Sequence, residues 1–295
     1  MLVNLREGLN EMTKRQRPAT ARVAVDGMKL HRRVVRLDGR DHTVIGLRPG
    51  ARARFSTNRF HDTWHVLSDQ RGARLLARLL WGLAYQARPG TMVLIDRPFL
   101  TPTPFDADPA DPIALLPPLR TPFKASAARA LRATLPLTRP PDGTVRWRTH
   151  GLDRALADVR AWREREEPLR VLDQERGTVT RTGGMVVLRP GSPAELRSWA
   201  VAVGVLDIGR YDMDYQYLGR WDGGYPGEVQ IFRHFRSNVG VARRARAEVL
   251  ARPRDPAEAA DRADPELLRM RIWDRGGDIA AAERRARKRR VEAGR

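Results

Sequence analysis

At 295 residues and 41% hydrophobic, the chain has enough apolar material to bury a core, so global disorder is not expected. It has no cysteine, which excludes disulfides, thiolate metal sites and cysteine nucleophiles. The formal net charge is +20, and of 55 basic residues only Lys14, Lys29, Lys124 and Lys288 are lysines, the rest being arginine. A GC-rich coding sequence accounts for arginine in place of lysine but not for the excess of bases over acids. That excess favours a polyanionic partner such as nucleic acid.

The longest apolar run, Trp199 to Leu206, is far short of the roughly 20 residues needed to span a bilayer. Residues 1–20 form a polar arm, and Met1 to Pro18 lacks the apolar stretch of a signal peptide. A cytoplasmic protein with no membrane partner is expected.

In chain order, residues 21–97 form an N-terminal α+β region. Arg32 to Leu37 and His42 to Leu47 alternate about Asp38-Gly39, a hairpin signal, and Arg52 to Ser56 is a further strand. His61 and His65 have the His-x3-His spacing that joins two imidazoles on a helix. However, the segment lacks helical periodicity, and on a strand the two rings stand about 13 Å apart. A half-buried strand or loop is expected there, with no metal and no cofactor. Asp69 to Gln86 is a helix with a leucine face at 75, 76, 79, 80 and 83. Pro89-Gly90 ends it, and Thr91 to Asp96 is a buried strand.

Eight prolines fall between Pro98 and Pro122, so residues 98–143 are expected to be a proline-rich linker with one short helix, Lys124 to Leu135. Its aspartates, Asp106, Asp108 and Asp111, lack the glycine turn and closing glutamate of a calcium loop. Residues 144–240 form a central α+β region. It begins with a helix over Leu152 to Glu167, followed by a strand pair, Leu169 to Leu172 and Thr178 to Arg181. Gly183-Gly184 then opens the strand Met185 to Arg189. Ser192-Pro193-Ala194-Glu195 is a helix start with its cap, and Leu196, Trp199, Ala200 and Val203 share one face.

A hairpin follows, with Tyr211 to Leu218 and Glu228 to Arg236 as its arms. A fold centred near Gly224 sets Asp214 opposite His234 and Asp212 opposite Arg236. The polar face then carries Asp212, Asp214 and His234, candidates for acid–base or shared-metal chemistry; the competing reading is cross-strand ion pairing on a solvated face. A nuclease-like metal site is not expected, because Gln230 stands where lysine is needed and Glu228 lies on the order of 17 Å from Asp214. Trp221 and Tyr225, at the tip, are candidates for docking a protein partner.

Residues 241–295 are a basic helical C-terminal region with helix starts at Asp255, Asp264 and Gly276-Gly277-Asp278. Arg284, Arg285, Arg287, Lys288, Arg289 and Arg290 wrap all sides of the last helix, an arrangement for sequence-independent phosphate contact rather than base reading. The expected architecture is α+β: a mixed or antiparallel sheet, helices packed on one face, and a loosely attached basic helical extension. The leading functional expectation is a nucleic-acid-associated protein without catalytic activity. The alternatives are an enzyme using the hairpin's polar face and an interaction module using its aromatic tip.

Overall fold

The computed structural model describes residues 27–118, 121–171, 177–209, 211–219, 227–251 and 263–293. The polar arm, the hairpin tip with Trp221 and Tyr225, and the Asp255 helix start lie outside them. The protein is α+β, with two mixed sheets.

In the larger sheet the strands run in the order β7 (Gly143–Arg148), β1 (Gly27–Leu37), β2 (Arg40–Gly46), β5 (Thr91–Ile95), β6 (Ile113–Leu115), β9 (Met185–Arg189) and β8 (Thr178–Thr182). The smaller sheet has the order β10 (Met213–Leu218), β11 (Gly227–Phe232), β4 (Thr63–Ser68) and β3 (Phe55–Phe60).

Three hairpins turn on two residues with positive φ: Asp38-Gly39, His61-Asp62 and Gly183-Gly184. This is the type I′ geometry whose twist matches that of the flanking strands. The first was expected from its Asp-Gly. The second places His61 on a turn and His65 inside a strand, so the His-x3-His spacing makes no helical pair.

One apolar core is shared by both sheets and by helices α1 (Gln70–Ala84) and α5 (Pro193–Gly204). Val93, Ile95, Ile113, Leu115, Val186 and Leu188 point into it from the larger sheet, and Val66, Val229 and Ile231 from the smaller. Alternate residues of the same central strands, Met92, Leu94, Ala114, Met185 and Val187, face the other way and pack under α2 (Ala125–Ala133) through Ala127, Ala128 and Leu131. The central strands are therefore continuously apolar over Met92 to Ile95, Ile113 to Leu115 and Met185 to Leu188, as strands covered on both faces must be.

Both expected helix starts are capped. Asp69 accepts from Gly72 N at 2.8 Å, and Ser192 Oγ accepts from Glu195 N at 3.0 Å. Glu195 reaches back to Gly191 N and Gly177 N, which ties the entry of β8 to the helix.

Several sequence expectations are corrected. The proline-rich segment is not a linker: it carries β6, which pairs antiparallel with β5 and parallel with β9 and so joins the two halves of the sheet. Its prolines flank a three-residue strand instead of interrupting a longer one. Leu169 to Val171 belong to a helix, α4 (Val159–Val171), and the partner of β9 is β8. The helix expected over 152–167 is divided into α3 (Leu152–Ala157) and α4 by Asp158, which has non-helical backbone and caps Ala161 N. The strand expected at Arg52 begins at Phe55.

The C-terminal extension is docked. Helix α6 (Phe235–Ala251) buries Phe235 and Val239 against Leu67 and Phe232 of the smaller sheet. Helix α7 (Pro265–Ala293) runs back along α6 through Leu268, Ile272 and Ile279. It continues straight through Gly276 and Gly277, the expected start of a last helix. A Cβ at Gly276 would lie 3.7 Å from Val241, so the glycine sits in the helix–helix seam.

Candidate functional site

The hairpin register differs from the expected one by an odd number of residues, which moves every side chain to the opposite face. Asp214 stands opposite Ile231, and Tyr215 and Tyr217 stand opposite Gln230 and Glu228. The second arm is strand only to Phe232, because Phe235 already begins α6.

Asp212 pairs with Arg233 at 3.1 Å. Asp214 accepts from the backbone N–H groups of Asp207 and Tyr215, both at 2.9 Å. His234 precedes α6, where its carbonyl accepts from Asn238 N. No hydrogen bond or ion pair joins the three among the described residues, so each is engaged separately. Nor do those residues contain any group of three His, Asp or Glu placed to hold a metal.

The chemically richer place is a cavity of about 800 Å³ between the smaller sheet, the 103–111 loop and the first turns of α7. Asn58 and His65 of its sheet wall belong to a polar row that crosses three strands in register and ends at the buried Glu228. His65 Nδ1 lies 3.0 Å from Asn58 Oδ1, and Nε2 lies 3.2 Å from Glu228 Oε2. Gln230 donates to Glu228 Oε1 at 2.9 Å. Both ring nitrogens are thus occupied by protein groups, which leaves no lone pair directed at a substrate. No local cue marks this row, because Glu228 is brought beside His65 only by the parallel pairing of β4 with β11.

The arginines around this cavity are also matched. Arg181 meets Asp111 at 2.6 Å, and Arg59 meets Asp62 at 2.8 Å. Arg269 lies 3.4 Å from Asp106 and 3.5 Å from Asp108. Arg246 of α6 binds Asp108 at 2.6 Å and the Asp106 carbonyl at 3.0 Å. The three aspartates therefore hold the C-terminal helices and β8 against the loop. Trp273 of α7 adds a ring contact with Phe105. This cavity is electrically balanced inside a strongly basic protein.

The cations of the helix end are different. Arg284, Arg285, Arg287, Lys288, Arg289 and Arg290 are all exposed in the last turns of α7. Lys288 lies 3.9 Å from Glu292. The five arginines have no carboxylate partner among the described residues.

Fold and site together define a two-sheet α+β body with a docked helical hairpin that ends in exposed positive charge. No helix among the described residues is long and apolar enough to cross a membrane. Comparison with protein-family models, with curated proteins and with solved structures finds no match to this chain.

Proposed function

We propose that the protein is a nucleic-acid-associated accessory protein without catalytic activity, which binds backbone phosphates electrostatically through the end of α7. One observation carries this reading: the five arginines from Arg284 to Arg290 are exposed and have no carboxylate partner among the described residues, whereas the arginines facing the 103–111 loop meet carboxylates. A helix cationic on all sides has no single base-reading face, so the contact is independent of sequence. We place it in the cytoplasm, a compartment where nucleic acid can be reached.

The test is fluorescence anisotropy with labelled duplexes of two unrelated sequences across a salt series. Log K falls linearly with log salt, with a slope of about −0.9 for each phosphate neutralised. Replacing the six cations by glutamine flattens that slope and weakens both duplexes equally. Affinity that ignores salt, or survives the six substitutions unchanged, overturns the proposal.

A further inference from the structure

A second hollow, of about 670 Å³, shares no lining residue with the balanced cavity. Its polar lining is His31 and Arg33 of β1, Arg52 and Arg54 of the loop before β3, Asp96 after β5, and Arg236 of α6. Four guanidinium groups thus face one carboxylate across a concave surface.

These arginines are held in place by neutral groups. Arg33 Nε donates to the Arg139 carbonyl at 3.1 Å. Arg54 donates to the carbonyls of Ala51 and Ala53 at 3.0 and 2.8 Å, and stacks over the Phe99 ring. Arg236 donates to the Arg52 carbonyl, and its nearest carboxylate is Asp69 at 3.9 Å, outside the hollow. The Arg52 side chain is exposed and has no partner among the described residues. Carbonyl bonds orient a guanidinium without cancelling its charge, so the field is left to act on whatever enters. His31 registers that field: burial, then Arg33 and Arg48, hold its imidazole below the ordinary histidine range.

We infer that this hollow binds a phosphate-bearing anion, with Arg33, Arg52 and Arg54 directed at its oxygens. Guanidinium forks match phosphate oxygens two at a time, and a concave wall of one sign concentrates anions. More than one phosphate, or a phosphate and a second anionic group, is needed to engage arginines on two sides of the hollow. Leu47, Phe99 and Leu137 supply apolar wall for an attached organic group, and the volume lies within the usual range for small-ligand sites. The anion is either a free phosphorylated small molecule or a backbone phosphate of a bound nucleic acid. This site is separate from the cations of α7 and does not depend on them.

The experiment is calorimetric titration of the full chain with inorganic pyrophosphate at low salt, repeated with duplex DNA. A single site for pyrophosphate is expected. Arg33→Gln and Arg52→Gln each weaken it about tenfold or more, the loss of one charge-assisted contact, while glutamine substitution of the six α7 cations leaves it in place. Arg52 is exposed and unpartnered, so its variant folds normally, and a melting curve verifies this. If the Arg33 and Arg52 variants weaken pyrophosphate alone, the ligand is a free small molecule; if they weaken duplex binding as well, it is a backbone phosphate. No pyrophosphate binding by the unaltered protein, or binding that the two variants leave unchanged, overturns the inference.

Discussion

His65 and Glu228 lie side by side on adjacent parallel strands with both side chains buried, imidazole Nε2 3.2 Å from carboxylate Oε2. Asn58 takes the other ring nitrogen and Gln230 the other carboxylate oxygen, so both imidazole nitrogens and both carboxylate oxygens are engaged. The row ties β3, β4 and β11 together through side chains as well as backbone. Removing one member leaves the next buried without its partner. Glu228→Ala is expected to destabilise the fold by about 3 kcal/mol, and His65→Phe combined with Glu228→Leu by much less, since an apolar pair leaves no stranded polar group. Urea denaturation of the single and double variants measures the difference. Equal losses in both would show that packing, and not the polar row, is what matters there.

The docked C-terminus yields a second expectation. Asp106 and Asp108 receive Arg246 and Arg269, one from each helix of the hairpin. Asp106 also accepts from the Thr103 hydroxyl and from Asp108 N, which fixes the loop that presents both carboxylates. Replacing both aspartates by alanine removes the charged half of the clamp, worth about 2 kcal/mol for partly exposed charge-assisted bonds. Amide exchange should then quicken over residues 263–283 and stay unchanged in β5 and β9, deep in the larger sheet. Duplex affinity should persist, because the six terminal cations are untouched.

The apolar core offers a third, steric test. In α1, a Cβ placed on Gly82 would come within 2.2 Å of Trp147 Nε1. That indole is buried and donates to the Arg78 carbonyl at 3.1 Å, so it is not free to swing aside. Alanine, the better helix former, should nonetheless destabilise here, by about 1–3 kcal/mol as an overpacked core does. Thermal melts of Gly82→Ala decide it. A rise in Tm would mean that the ring yields and helix propensity wins.

What the sequence revealed of this fold was what local chemistry specifies. Asp38-Gly39 announced its hairpin, Ser192-Pro193 its helix, and the run Thr91 to Ile95 its buried strand. His61-Asp62 forms the same kind of turn as Asp38-Gly39 but has no glycine; histidine and aspartate enter the positive-φ region more readily than most side chains, yet far less readily than glycine, so the local signal was weak. The β10–β11 register depended on where each strand stopped, and an odd shift was enough to exchange the faces assigned to Asp214 and Tyr215. Strand β6, three residues among prolines, gave no periodicity to detect. The polar row and the arginine hollow escaped for one reason: each is assembled from segments far apart in the chain, and only pairings such as β4 with β11 make them neighbours. The α7 cations, contiguous in sequence, were the part of the candidate site that could be found beforehand.

His31 gives a measurable consequence of the hollow's charge. Burial and the nearby Arg33 and Arg48 lower its pKa from the ordinary 6.5. A histidine depressed in the folded state binds fewer protons there than when unfolded. Its contribution to stability is therefore full above pH 6.5 and is lost as pH falls toward the folded value. The other charged groups lining the hollow are Arg52, Arg54, Arg236 and Asp96. A proton NMR titration should place the His31 midpoint below 6.5, and Arg33→Gln should move it upward. Bound pyrophosphate should raise it further, because an anion beside the ring favours the imidazolium.

Asp96 makes the opposite prediction. Burial raises its carboxyl above the usual 3.8, and it outweighs the Leu137 backbone hydrogen bond, the bond to its own backbone and the attraction of Arg33. A raised carboxyl keeps its proton longer in the folded state than in the unfolded one. Stability therefore declines as pH rises from about 3.8 through the folded value, and is level beyond it. Asp96→Asn abolishes that decline, so the variant should be more stable than the parent at pH 7 by a margin that vanishes in acid. The same substitution removes the only carboxylate that lines the arginine hollow among the described residues. Pyrophosphate should then bind more tightly at pH 7, and the gain should shrink as acid adds a proton to Asp96 of the parent. Denaturation curves and pyrophosphate titrations at pH 4 and pH 7 test both halves. A variant that gains stability without gaining affinity would place the anion away from Asp96, toward Arg52 and the mouth of the hollow.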